Sequence, residues 1–139
     1  MPTAEPIAEN LASPQGLAFD ADDQLFVAES GAGRVSRISE GGRLIPFAET
    51  GGRPMGIAFD DSGDLFVAES GRHHLLLVSP DEAVEVYASQ CHGRRFSGPR
   101  DLCFTHEGGV LFCDTGPGPD RGSLFHCDLN GEVEQLAGG

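Results

Sequence analysis

Apolar residues recur along this chain in short runs that turn residues separate. In the middle of the chain the runs cover residues 56–59, 65–68, 75–78 and 84–87, and the polar segment 60–63 (DDSG) is typical of a tight turn. Residues 65–68 are apolar at every position, which indicates burial on both faces of a strand. Residues 84–87 alternate between apolar and polar, as expected of an outer strand. The pattern predicts a unit of four short β-strands.

This unit occurs three times. Residues 14–31 (PQGLAFDADDQLFVAESG) and 54–71 (PMGIAFDDSGDLFVAESG) are identical at 12 of 18 positions, and residues 99–116 (PRDLCFTHEGGVLFCDTG) are a more diverged copy. Four strands that recur every 40 to 45 residues are the signature of a β-propeller. We therefore predict an all-β fold, a β-propeller segment of three four-stranded antiparallel blades.

The repeat sets the boundaries of the predicted blades. We assign an N-terminal outer strand to residues 1–13, blade 1 to 14–53, blade 2 to 54–98 with a loop insertion at 89–98, and blade 3 to 99–139. Propellers have about four to eight blades, so three blades would leave an apolar inner strand open on each flank. The expected partner is a second half-propeller, either another copy in a homodimer or the rest of a longer chain.

The composition restricts which binding partners and which cellular compartment we expect. The formal net charge of −13 repels phosphate backbones and anionic lipid, so nucleic acid and membrane surfaces are not expected partners. No apolar run is long enough to span a membrane, and the first residues lack the features of a signal peptide, which predicts a cytoplasmic protein. The cysteines have no CxxC spacing and are interpreted as core thiols, with disulfides or zinc as the alternative. They are Cys91, Cys103, Cys113 and Cys127.

One face of the predicted propeller collects most of the candidate functional residues. Because the strands run up and down, the loop that enters each blade and the end of each second strand share this face, which we call the loop face, and a ligand site is expected there. The entering loops contribute Gln15, Met55, Arg100 and Asp101, and the second strands contribute Glu29, Glu69 and Asp114.

The second-strand carboxylates and the insertion each allow two interpretations. Three equivalent acids suggest metal binding or acid–base chemistry, but a carboxylate repeated in every blade more often accepts backbone N–H groups that fix its loop. The insertion places Arg94 and Arg95 near Arg100, where they would hold a substrate carboxylate or phosphate. The alternative is a solvated loop whose arginines pair with local acids. His92 is a candidate base or ligand, although a lone loop histidine usually has neither role.

The repeat PxGLAFDxxGxLFVAESG resembles the blade consensus of NHL-repeat proteins and of the SMP-30/gluconolactonase family. Residues 96–116 (FSGPRDLCFTHEGGVLFCDTG) are similar to an SMP-30 segment that reads approximately GPNDLxFDxxGxLYFTD. The resemblance covers nearly the whole chain and implies a six-bladed propeller, of which this chain would be half.

The resemblance also implies a chemistry. Members of the SMP-30 type are mostly lactonases that hold one divalent cation, calcium or zinc, at the mouth of the central channel. The family's first glutamate ligand falls at Gln15 and its asparagine falls at Arg100, whereas Asp101 is retained. Asp101 is thus the expected catalytic residue and cation ligand, with Glu69 and Asp114 as weaker ligands.

Two functions follow from these observations. The first is a metal-dependent hydrolase of lactones or small esters that is active once the ring is complete, and the second is a non-catalytic NHL-type module that binds a ligand or a protein. In both, the loop face is the binding surface, and a small-molecule ligand is the expected partner. The expected substrate-binding residues are Arg94, Arg95, Arg100, Gln15 and His92.

Overall fold

The computed structural model describes residues 1–138, and Gly139, the last residue of the predicted third blade, lies outside the described residues. Every regular element within this range is a β-strand. The strands form three four-stranded antiparallel sheets and one two-stranded hairpin, which confirms the predicted fold class. No helix in the described chain has the length and hydropathy that a membrane crossing requires.

Each four-stranded sheet is one blade, and its strands are adjacent in chain order. Blade 1 contains β1 (Pro14–Phe19), β2 (Leu25–Glu29), β3 (Arg34–Ile38) and β4 (Leu44–Glu49). Blade 2 contains β5 (Pro54–Phe59), β6 (Leu65–Glu69), β7 (His74–Val78) and β8 (Val84–Ala88). The hairpin of β9 (Gln90–Cys91) and β10 (Arg94–Arg95) precedes blade 3, which contains β11 (Pro99–Phe104), β12 (Val110–Asp114), β13 (Ser123–Cys127) and β14 (Val133–Gly138). The first strands β1, β5 and β11 contact one another in order, which places them around a common axis.

Side chains that bond to their own turn fix the hairpins between first and second strands. Asp60 Oδ1 accepts hydrogen bonds from the backbone N–H groups of Ser62 and Asp64, both at 2.9 Å. Asp20 does the same in blade 1, and Thr105 Oγ1 accepts the N–H of the residue four positions later in blade 3. These local bonds give each blade a tight first turn.

Two hydrophobic cores lie between the blades, and blade 2 contributes to both. Phe26 of blade 1 packs edge to face on Phe59 of blade 2 with ring centroids 4.9 Å apart, and Phe66 packs in the same way on Phe104 of blade 3 at 5.2 Å. Such pairs contribute about 1 kcal/mol beyond the area that they bury. Residues 65–68 of β6 are all buried, as their continuous apolar run predicted, and Glu69 at the end of the strand is buried as well.

The outward faces of blades 1 and 3 are uncovered. Leu17 and Phe19 on β1 are each 62% exposed, whereas Ile57 and Phe59 at the same positions of β5 pack against blade 1. On the other flank Leu124 is 38% exposed. The chain is therefore a partial propeller with an apolar surface at each end.

The N-terminal segment differs from its prediction, because residues 1–13 form no strand. The segment lies along blade 1 instead. A Cβ atom on Gly42 would lie 2.4 Å from the Ile7 carbonyl oxygen, and the Ala12 N–H donates to Glu29 Oε1 at 3.1 Å. An outer strand must pair with a third strand, and β3, β7 and β13 already pair with β4, β8 and β14. The single chain thus has no vacant position for it.

All four cysteines are free thiols. Cys91 and Cys127 are buried, as predicted for core thiols, and burial raises the pKa of Cys127 to about 11. Cys103 and Cys113 are exposed on the open face of blade 3. The interpretation as core thiols is wrong for these two in the single chain, since no further blade covers that face.

Candidate functional site

The loops that enter the three blades enclose one cavity on the loop face. Its volume is about 240 Å³, and we call it the channel-mouth cavity. The structure thus brings together the four entering-loop residues that the sequence placed on one face. The cavity is lined by Gln15, Gly16, Met55, Gly56, Arg100 and Asp101.

Two glycines allow the first strands to approach closely beside this cavity. A Cβ atom on Gly16 would lie 2.4 Å from the Met55 carbonyl oxygen, and one on Gly56 would lie 2.8 Å from the Asp101 Cα atom. Real side chains do not tolerate such distances, so both positions require glycine. Asp101 occupies the equivalent position in blade 3, where no further blade of this chain approaches.

Arg100 and Asp101 are the two charged groups of the channel-mouth cavity, and both are exposed. Asp101 Oδ1 accepts the N–H of Leu102 at 2.9 Å, and within residues 1–138 its Oδ2 accepts no hydrogen bond. The two side chains form no ion pair, since the Arg34–Glu29 pair is the only one found in this range. The cavity therefore presents a free guanidinium, a free carboxylate oxygen and the amide of Gln15.

The second-strand carboxylates hold their own loops together. Asp114 accepts the backbone N–H groups of Ser97, Gly98 and Gly116 at 2.8 to 3.0 Å. Glu69 is fully buried and accepts the N–H groups of residues 53, 71 and 72. Their role as acceptors that fix the loops is confirmed by these contacts.

Glu29 differs from Glu69 and Asp114 because side chains, as well as a backbone N–H group, donate hydrogen bonds to its carboxylate. Arg34 Nε donates to Glu29 Oε2 at 2.8 Å, Ser36 Oγ donates to the same oxygen at 2.6 Å, and the Ala12 N–H donates to Oε1. Burial raises the pKa of Glu29, but the hydrogen bonds from Arg34, Ser36 and Ala12 together outweigh burial and bring the pKa below its usual value.

The insertion does not lie at the channel mouth. Arg94 and Arg95 line a separate cavity with Arg121, and this cavity shares no residue with the one that contains Arg100. The predicted grouping of Arg94 and Arg95 with Arg100 is therefore corrected. His92 is exposed in the turn of the inserted hairpin, with a φ of 49°, and lines neither cavity.

The donor atoms do not fit the divalent cation that the resemblance implies. Among residues 1–138 no three His, Cys, Asp or Glu side chains lie close enough together to hold a metal ion. Backbone N–H groups occupy Oε1 of buried Glu69 and both oxygens of Asp114, and the guanidinium of Arg100 beside Asp101 would repel a cation. Glu69 Oε2 accepts no hydrogen bond within residues 1–138, but Glu69 belongs to no group of three potential metal ligands there. Within this chain, Asp101 is the one exposed carboxylate of the expected set.

Arg121 and its loop contribute to the cavity of Arg94 and Arg95, and the sequence did not predict this contribution. Residues 115–122 (TGPGPDRG) join the second and third strands of blade 3 and are longer than the equivalent loops, residues 30–33 and 70–73. An alignment of the three repeats shows this difference, which is the signal that could have directed attention to the loop.

Comparison with known proteins identifies the fold. No protein-family model matches the chain, and no curated protein does. A gluconolactonase from Xanthomonas campestris is similar in structure with a TM-score of 0.84 and 20% identity, and the match covers 95% of this chain and 50% of that one. A virginiamycin B lyase from Staphylococcus aureus matches with a TM-score of 0.72 and 16% identity, covering 90% of this chain and 41% of the lyase.

A chain of a nidogen/laminin complex matches with a TM-score of 0.74 and 23% identity, covering 90% of this chain and 48% of that one. The present chain thus spans about half the length of the structures that it resembles. These similarities establish that the fold is a partial β-propeller.

Proposed function

We propose that this chain is half of a six-bladed propeller whose channel mouth binds a small polar or anionic molecule, and that the completed ring hydrolyses a lactone or small ester there. The observation that carries the proposal is the single cavity shared by Gln15, Arg100 and Asp101. The similarity in fold to a gluconolactonase supports the choice of substrate class.

Binding would rest on Arg100. Its guanidinium has no carboxylate partner among the described residues, and arginine presents planar N–H groups that match a carboxylate or a developing oxyanion. Gln15 adds an amide that both donates and accepts hydrogen bonds. These groups suit the carbonyl and hydroxyl oxygens of a lactone.

Hydrolysis would use the free oxygen of Asp101 as a general base. The carboxylate takes a proton from a water molecule whose oxygen attacks the lactone carbonyl carbon, and Arg100 stabilises the resulting oxyanion. When the bond between the carbonyl carbon and the ring oxygen breaks, the ring oxygen takes the proton back from Asp101, and the product is a hydroxy acid. The expected divalent cation is not part of this proposal, because the donor set does not fit it.

The ring would be completed by a second copy of the chain. At each of the two junctions between blades, a row of one small, one large and one small side chain packs against the following blade. The row of blade 1 is Ala18, Phe26 and Ala28, and the row of blade 2 is Ala58, Phe66 and Ala68. The open face of blade 3 carries Cys103, Leu111 and Cys113 at the same positions, and with Leu124 these line an apolar surface cavity.

The open face of blade 1 carries the residues that would receive such a row. Ile57 and Phe59 receive the row of blade 1, and Leu102 and Phe104 receive the row of blade 2. Leu17 and Phe19 stand at these positions on the open face of blade 1. Blade 3 of each copy can therefore pack on blade 1 of the other, and a twofold axis along the channel closes six blades.

An assay of lactone and ester hydrolysis with purified protein tests the proposed activity. Wild type should turn over a simple lactone, and Asp101→Asn should reduce kcat by about a hundredfold or more while it leaves KM nearly unchanged, as expected for loss of a general base. Arg100→Gln should raise KM. Equal turnover by wild type and Asp101→Asn would remove Asp101 from the mechanism.

The second candidate is a non-catalytic binding module. The observation that favours it is that no other side chain within residues 1–138 orients the Asp101 carboxylate, which accepts only the N–H of its neighbour Leu102. In that case a ligand would bind with an affinity that depends on Arg100, and neither wild type nor Asp101→Asn would hydrolyse it.

A further inference from the structure

We infer that a second site, separate from the channel mouth, binds a phosphate group between the inserted hairpin and blade 3. Its cavity has a volume of about 60 Å³ and shares no lining residue with the channel-mouth cavity. Three arginines, Arg94, Arg95 and Arg121, line this cavity together with Ser123 and Gln135.

The inserted hairpin is fixed to blade 3, so its two arginines have a defined position. Phe96 is buried against Phe112 and Phe125, with ring centroids 4.9 Å and 5.5 Å away. The Cys91 Sγ atom contacts the carbonyl oxygen of Val133 at 3.5 Å, which joins β9 to β14. A loop that was merely solvated would not bury a phenylalanine and a cysteine in this way.

The loop between β12 and β13 supplies the third arginine. Gly116 has a φ of 75°, and a Cβ atom there would lie 1.9 Å from the Arg121 carbonyl oxygen, so the loop folds back on itself. The Arg121 N–H donates to the Gly118 carbonyl at 3.2 Å and closes a turn. Arg121 thus lines the same cavity as the two arginines of the hairpin.

The positive charge of the cavity exceeds its negative charge, because three arginines and one carboxylate line it. The protein has 22 acidic residues and nine basic ones, yet Arg94, Arg95 and Arg121 form no ion pair within residues 1–138, and none of their guanidinium groups donates a hydrogen bond there. Asp114 is the one carboxylate on the cavity wall, and it already accepts three backbone N–H groups. Each of the three arginines brings a positive charge to the cavity wall, and a bound anion would offset that charge.

A phosphate group matches the donors and the size of the cavity. A water molecule requires a cavity of about 10 to 15 Å³, so 60 Å³ accommodates a group of several heavy atoms. Guanidinium groups bind phosphate oxygens through paired N–H donors. Ser123 Oγ and Gln135 Nε2, which lie 3.4 Å apart, provide neutral donors for a further oxygen. The phosphate would come from free phosphate or from a small phosphate monoester.

Calorimetric titration of the purified chain with inorganic phosphate and with phenyl phosphate, at constant ionic strength, tests this inference. We expect one saturable site for at least one of the two probes. Arg94→Gln and Arg121→Gln should each weaken binding by about tenfold or more, since each removes charge-assisted hydrogen bonds. Arg43→Gln is the matched control, because Arg43 is exposed, lies outside this cavity and should not change the affinity.

The two probes distinguish the source of the phosphate. Tighter binding of phenyl phosphate indicates a monoester, and binding of inorganic phosphate alone indicates the free ion. No saturable binding at millimolar concentrations of either probe, or an equal loss of affinity in Arg43→Gln, would overturn the inference. If Arg121→Gln fails to fold, Arg94→Gln gives the decisive measurement, because Arg94 lies in the short inserted hairpin and is exposed.

Discussion

Ser36 donates a 2.6 Å hydrogen bond to Glu29 Oε2 inside blade 1, and the repeat does not preserve this bond in blade 2. Leu76 stands at the position of Ser36, and among residues 1–138 the buried Glu69 Oε2 has no hydrogen-bond partner. The equivalent carboxylates of two similar repeats are therefore satisfied to different extents.

Removal of the Ser36 hydroxyl should destabilise the chain. We expect Ser36→Ala to lower the free energy of unfolding by about 2 kcal/mol, because a buried charged acceptor loses a donor. Urea unfolding followed by circular dichroism measures the change. Ser62→Ala is the control, since Ser62 is exposed and contributes only its backbone N–H to a hydrogen bond. Equal stability of Ser36→Ala and wild type would contradict the expected contribution.

The lowered pKa of Glu29 predicts a loss of stability in acid. A carboxyl group with a folded-state pKa below its unfolded value of 4.5 stabilises the fold above that pH, and the contribution disappears as the pH falls through the folded-state pKa. Glu29→Gln should flatten the dependence of unfolding free energy on pH in the range below about 4.5, whereas substitution of exposed Glu40 by Gln should not. An unchanged slope in Glu29→Gln would show that other groups control acid unfolding.

Gly16 and Gly56 should not tolerate substitution, because the first strands approach each other closely at these residues. Gly16→Ala and Gly56→Ala should each cost about 1–3 kcal/mol or more, because the new Cβ would overlap backbone atoms that cannot move aside. Gly41→Ala is the matched control, since a Cβ there meets nothing within 4 Å. Thermal unfolding of the three variants gives the comparison, and similar melting temperatures would refute the close contact.

Ring closure by a second copy predicts a concentration-dependent change in thiol reactivity. Cys103 and Cys113 should react with a thiol reagent in dilute protein and become protected when two copies associate, while Cys91 and Cys127 should remain unreactive in both conditions. Mass spectrometry of labelled peptides, with light scattering to report the mass, measures this. Persistent labelling of Cys103 and Cys113 in a dimer would place the interface elsewhere.

Substitution on the opposite flank tests the same interface. Phe19→Asp should prevent the dimer, since it would bury a carboxylate in the closing junction. Leu129→Asp is the control, because Leu129 is also largely exposed but lies in the turn between β13 and β14. Dimers of normal mass in Phe19→Asp would exclude this flank from the contact.

The repeat made the blades predictable, because the first two strands and the turn between them recur at the same spacing in every blade. Pro46 lies in β4, an outer strand that is paired on one side only, which is where a sheet tolerates proline. The loop-face grouping of Gln15, Arg100 and Asp101 follows from the up-and-down order of the strands alone. These predictions depend on periodicity, which sequence displays directly.

The position of the insertion was not predictable in the same way. Arg94 and Arg95 lie away from Arg100 because Phe96 packs between the rings of blade 3, and no local pattern shows where one aromatic side chain will be buried. The N-terminal segment shows a similar limit. Its composition suits a strand, but a strand forms only where a pairing edge is vacant.

The open faces of blades 1 and 3 differ from each other, and this difference affects how the protein would aggregate. Each added copy hides one flank and presents another of the same kind, so head-to-tail addition has no intrinsic end. Only the angle between successive blades can bring the last flank back to the first. In the proposed dimer, a substitution that opened that angle would let further copies add instead of closing the ring, and a helical filament would grow.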